Sequence, residues 1–90
     1  MNYRNIKIRI KDEKESIAVQ TFLFKHKVSW WDGTRTIEQT DSPFLYVNHR
    51  GTLEHGSTLE CFLEVEEVEV TVKELLGNDK LTNLKEELLK

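Results

Sequence analysis

Residues 5–11 read Asn5-Ile6-Lys7-Ile8-Arg9-Ile10-Lys11, three isoleucines alternating strictly with three cations. Successive side chains on a strand point to opposite faces. A period of two therefore sets Ile6, Ile8 and Ile10 on one side and Lys7, Arg9 and Lys11 on the other. A helix would scatter the isoleucines around its circumference. The stretch predicts a strand with one buried and one polar face, and the next element must cover the isoleucines.

Asp12 follows at once as a helix cap, with Glu13 and Glu15 near the positive end of the helix dipole. Ser16 is an alternative cap one turn later. Ile17, Val19, Phe22, Leu23 and Phe24 fall mostly at helical spacing, and Lys25-His26-Lys27 put cations where a helix ends. The spacing predicts a helix over 13–26 across the isoleucine face. Val28 to Trp31 return as a strand, and Asp32-Gly33 is a hairpin signal with Thr34 to Ile37 as the partner strand. After a polar loop over 38–43, a strand is expected over 44–48. A turn follows at Asn48-His49-Arg50-Gly51, then a short strand over 52–54 and another turn at His55-Gly56-Ser57.

From Thr58 onward the pattern predicts a long strand. Leu59, Cys61, Leu63 and Val65 share one phase and Val68, Val70 and Val72 the other, so the slip at Glu66-Glu67 calls for a bulge or tight bend. Thr71 is a candidate cap for a short turn through Glu74-Leu75-Leu76, which Gly77 stops. Asn78 or Asp79 opens a final helix over 79–90, with Leu81, Leu84 and Leu88 on one stripe. The expectation is an α+β fold in one domain, residues 1–90 with a core over 3–76. It has a mainly antiparallel sheet of about five strands in β-α-β-β-β-β order, one helix across a face and a short C-terminal helix.

Composition narrows the function classes. With 38% hydrophobic and 32% charged residues, and aromatic and branched residues spread along the chain, an ordered domain is expected and a disordered tail is not. No apolar run approaches the roughly 18 residues that span a bilayer. Met1-Asn2-Tyr3-Arg4 lacks a signal peptide's apolar segment, and the single cysteine, Cys61, cannot close an intrachain disulfide. A cytoplasmic protein without membrane contact is expected. The net charge is −3, but residues 1–35 hold eight Lys/Arg against four acids and residues 36–90 five against twelve. Such a split marks either a nucleic-acid face or two elements that neutralise each other.

No glycine-rich phosphate loop, nucleophile elbow, HExxH or paired CxxC is present, so neither catalysis nor a cofactor is expected. His49, His55 and Glu54 make a candidate metal set that lacks a fourth ligand, and a small metal protein or enzyme stands as the remotest alternative. Cys61, in phase with Leu59, Leu63 and Val65, is expected in the core. The hydroxyls of Ser42, Ser57 and Thr58 read as turn formers without a base. The stripe Lys7, Arg9, Lys11, extended by Lys25, Lys27 and Arg35, is a candidate phosphate grip, with Trp31 or Tyr46 to stack bases. The competing and favoured assignment pairs this stripe with Glu60, Glu64, Glu67 and Glu69 on a neighbouring strand. Trp30 and Trp31 cannot both enter one core layer. Trp30 shares its phase with Val28 and goes inside, which leaves Trp31 partly exposed as a binding residue.

Several segments together resemble small accessory proteins encoded by T-even-like tailed bacteriophages. They are the alternating first strand, Ser16-Ile17-Ala18-Val19-Gln20-Thr21-Phe22-Leu23-Phe24, Trp30-Trp31-Asp32-Gly33, Pro43-Phe44-Leu45-Tyr46-Val47-Asn48 and Glu69-Val70-Thr71-Val72-Lys73-Glu74-Leu75-Leu76. The resemblance spans 6–76 and carries no catalytic residues. It implies a noncatalytic protein that binds and modulates or inhibits a host protein, such as a defence nuclease or toxin, in the host cytoplasm. The expected partner-binding residues are Trp31, Arg35, Tyr46, His49, Arg50 and His55. The alternative is an RNA- or single-strand-binding module, including an RNA-dependent inhibitor of a toxin, that uses Lys7, Arg9, Lys11, Lys25 and Lys27. An exposed edge strand leaves room for a homodimer.

Overall fold

The computed structural model describes residues 3–77. The first strand, β1 (Ile6–Arg9), forms where the alternation predicts it. It leads into α1 (Glu13–Lys25), which Asp12 caps by accepting from the Glu15 amide at 2.9 Å. The Glu15 carboxylate reaches back to the Lys11 amide at 2.8 Å, so two amides at the helix start gain acceptors. After α1 come β2 (Ser29–Trp30), β3 (Phe44–Val47), β4 (Thr52–Gly56), α2 (Leu59–Glu64) and β5 (Val68–Glu69). Residues 72–77 are helical. The expected helix over 79–90 lies outside the described residues.

The α+β class is as expected, but the five strands form a mixed sheet in the order β2-β4-β3-β1-β5. β1 with β3 and β3 with β4 are antiparallel, whereas β2 with β4 and β1 with β5 are parallel. Both parallel pairs arise from crossovers. The chain from Trp31 to Pro43 passes β4 and enters the sheet on its far side. The segment after β4 crosses through α2 to reach β1.

One sheet face carries the main core. Ile6, Ile8, Leu45, Val47 and Leu53 lie under Val19, Phe22 and Leu23 of α1, with Trp30 and Leu75 completing the layer. The other face is also covered, by a smaller cluster of Phe44, Tyr46 and Phe62 with Val65 against it.

That second cluster corrects the expected long strand from Thr58. The segment is helical: Thr58 accepts from the Cys61 amide at 3.4 Å as an N-cap, and only Phe62 of α2 is buried. Leu59 and Leu63 are exposed, and so is Cys61, which is not a core residue. The Glu66-Glu67 phase slip is the exit from α2 and not a bulge. Two further expectations change. Thr34 to Ile37 form no strand, because Gly33 turns the chain at φ +85° and the following residues are irregular. His55 and Gly56 lie within β4 and make no turn. The Thr71 cap is present as a reciprocal box, its hydroxyl accepting from the Glu74 amide at 3.0 Å and donating to the Glu74 carboxylate at 2.9 Å.

Candidate functional site

Trp31 is the most exposed large apolar side chain among the described residues, at 85%. Its backbone is set by neighbouring bonds. Trp30 is buried, donates its indole N–H to the Thr36 carbonyl at 2.8 Å and receives the Gly33 amide on its own carbonyl at 2.8 Å. Asp32 accepts from both the hydroxyl (2.7 Å) and the amide (3.1 Å) of Thr34. Those two hydrogen bonds, the hydroxyl's first, hold the Asp32 carboxyl below its ordinary pKa and keep it charged.

The two ends of the loop, Trp31-Asp32 and Glu38-Gln39, border a groove of about 380 Å³ that Trp30, Leu53, Glu54 and His55 complete. Among the described residues, three carboxylates and no lysine or arginine line it. The loop wall is tied to α1 by Gln20, a fully buried amide. Its Nε2 donates to the Glu38 carbonyl at 2.6 Å and to Ser16 Oγ at 3.0 Å, and its Oε1 accepts the Glu38 amide at 3.0 Å. Gln20 is a positioning residue that sequence reasoning missed. The available signal was a polar pair, Ser16 and Gln20, four apart on the apolar side of α1, where such a pair needs a partner from outside the helix.

The six expected partner-binding residues do not form one surface. Trp31 and His55 share the acidic groove, and Arg35 is exposed on the loop beyond it. Tyr46 is buried against Phe62, with ring centroids 5.9 Å apart, so it is not available to a partner. His49 faces a recess bordered by Glu64, Glu66 and Glu67, and Arg50 belongs to a different, cationic cleft.

The five expected nucleic-acid cations also separate. Lys7 is buried at 8% exposure. Its ammonium donates to the carbonyls of Phe62 (2.6 Å) and Val65 (3.2 Å) and lies 4.8 Å from the centre of the Phe62 ring. It thus serves as a cationic cap on the C-terminal turn of α2. Arg9 pairs with Glu69 at 2.9 Å, as the pairing assignment expects for this one residue. Lys11 shares a recess with Asp12, Glu13 and Asp41. Lys25 is exposed on the last turn of α1, and Lys27 lies in the cationic cleft with Arg50.

Ser42 has a base beside it, which the sequence did not reveal: its hydroxyl lies 3.0 Å from His55 Nδ1. Ser42 is largely buried, beside the recess that Lys11 shares with Asp41. The pair ties the loop before β3 to β4. Glu54 and His55 alternate on β4, one opposite Tyr46 and the other opposite Leu45, so they project to different faces. Among the described residues, no group of three His, Cys, Asp or Glu side chains is placed to hold a metal. No helix among them is long and apolar enough to cross a membrane. Comparison with protein families, with curated proteins and with solved structures gives no match.

Proposed function

We propose that this chain is a noncatalytic binding protein that captures a partner protein through the Trp31 groove, in the way its resemblance to bacteriophage accessory proteins implies. The observation that carries this is Trp31, a nearly fully exposed indole at the mouth of an acidic groove. An exposed tryptophan keeps about 150–250 Å² of apolar surface in water, and packing among the described residues does not recover it. Held at a fixed turn, it loses little freedom on binding, and this is the character of an interface anchor.

The lining defines the partner. Asp32, Glu38 and Glu54 attract a segment bearing arginine or lysine, and an arginine plane can stack on the Trp31 ring. The neighbouring edge strand β2 has only two residues, too short to template an added strand. Side-chain docking in the groove is therefore favoured over sheet extension. A host nuclease or toxin with a basic active-site rim has the required charge.

The test is affinity capture from nuclease-treated bacterial lysate with wild type, Trp31→Ala and Glu38→Lys. Wild type retains a discrete protein after nuclease treatment, and each variant loses at least tenfold of it with an unchanged melting temperature. Equal retention by Trp31→Ala overturns the groove as the docking site. Loss of all capture on nuclease treatment overturns direct protein recognition.

A further inference from the structure

A second cleft, of about 200 Å³, lies where the end of α1 meets the β3–β4 turn, lined by Tyr3, Arg4, His26, Lys27, Arg50 and Gly51 together with Val28. Three permanent cations converge there from separate parts of the chain, in a protein that is acidic overall. Among the described residues, no carboxylate lines the cleft. None of Arg4, Lys27 and Arg50 makes an ion pair or side-chain hydrogen bond among the described residues, in contrast to Arg9 and Lys7. Like charges gathered without a counter-charge repel one another, and that repulsion is relieved when an anion enters.

The backbone supplies an independent observation. α1 ends with the Val28 amide bonded to the Leu23 carbonyl at 3.0 Å and the Lys27 amide to the Phe24 carbonyl at 3.1 Å. This is the Schellman pattern, in which the residue after the cap takes a left-handed conformation and is ordinarily glycine. Here it is Lys27, at φ +71°. A lysine held in a conformation that favours glycine is strained, and its gain is a cation fixed at the cleft mouth. On the far side Arg4 lies over Gly51, itself at φ +80°, with its Nε 3.4 Å from where a Cβ would stand. The end of α1 adds a partial negative charge of about half a unit, which three full cations outweigh.

From this cleft we infer that the protein binds a phosphate group, carried either by a single-stranded nucleic acid or by a small phosphorylated molecule. Arginine forks match phosphate oxygens bidentately, and the Tyr3 and His26 rings, 4.8 Å apart and both packed on Phe22, form a firm part of the wall. The site is separate from the stripe of Lys7, Arg9 and Lys11 and does not depend on the Trp31 groove.

Three probes are titrated into the full chain at low salt, with amide spectra as readout: inorganic phosphate, uridine monophosphate and an eight-nucleotide oligouridine. A polyglutamate peptide of equal length is the comparison. The cleft amides of residues 26–28 and 50–51 shift with at least one phosphate probe. Arg4→Gln/Arg50→Gln weakens that binding tenfold or more, whereas Trp31→Ala leaves it unchanged. Binding confined to the oligonucleotide, with log affinity falling against log salt at a slope of about −2 for three contacts, assigns a nucleic acid. Equal binding of the monophosphate assigns a small ligand. Lys27→Gly separates function from folding, because it relieves the backbone and raises the melting temperature while lowering affinity. No shift with any phosphate probe, equal affinity for polyglutamate, or full binding by the double variant overturns the inference.

Discussion

On the α1 side of the sheet, branched and aromatic side chains from four strands meet Val19, Phe22 and Leu23 in an apolar layer. On the α2 side, Phe44 and Tyr46 meet a single fully buried side chain, Phe62, with the Lys7 ammonium beside its ring. The first layer is redundant, since many neighbours share each contact. The second hangs on one aromatic and one cation. β1 and β3 serve both layers, so the isoleucines of β1 seal the main core while Lys7, one residue out of phase, anchors α2. A polar residue on an alternating strand is thus not solvated by default. Its environment depends on what crosses that face.

The largest test of this difference is Phe62→Ala. Truncating a fully buried phenylalanine costs about 3–5 kcal/mol, read by urea unfolding, and hydrogen exchange should show the α2 amides losing protection before those of α1. A cost under about 1 kcal/mol would mean that α2 is held by its flanking strands and not by its side chain. Next is Lys7→Met, which keeps the stem but leaves the Phe62 and Val65 carbonyls unpaired. The expected loss is about 1–3 kcal/mol. A neutral or stabilising result would show that the buried charge is merely tolerated.

The smallest effect belongs to Tyr46→Phe. The Tyr46 hydroxyl is buried without a hydrogen-bond partner among the described residues, so its removal should change stability by less than about 1 kcal/mol, in the stabilising direction. Burial, reinforced by the nearby Cys61 and Glu67, raises the Tyr46 pKa above 10.0. The unfolded chain then releases this proton first as pH rises. Wild type therefore loses stability from about pH 10 upward through the folded pKa, and Tyr46→Phe lacks that part of the decline. Parallel alkaline curves for the two proteins would contradict the assignment.

Legibility in the sequence followed the range of each signal. The Asp12 and Thr71 caps could be read because donor and acceptor lie three residues apart. α2 could not, because Leu59, Cys61, Leu63 and Val65 happen to alternate, and a six-residue helix with one buried side chain has no stripe to reveal it. The candidate site divides in the same way. Trp31 was recognisable because two adjacent tryptophans cannot share one core layer, and the structure leaves it in solvent. The acidic lining beside it, the Gln20 tether and the gathering of Arg4, Lys27 and Arg50 were hidden, since those residues are remote in sequence and carry no common spacing.

By itself, the sequence determined the first strand, the helix that covers it, the Asn48–Gly51 turn, the α+β class and the choice of Trp30 over Trp31 for the core. These follow from side-chain direction and hydrogen bonds that close within a few residues. Only the tertiary structure decided the two parallel pairings, the burial of Lys7, the exposure of Cys61 and the sorting of charge into one acidic groove and one cationic cleft. Each of these depends on which distant segment lies across a face, and that is settled by burial through space, not by order along the chain.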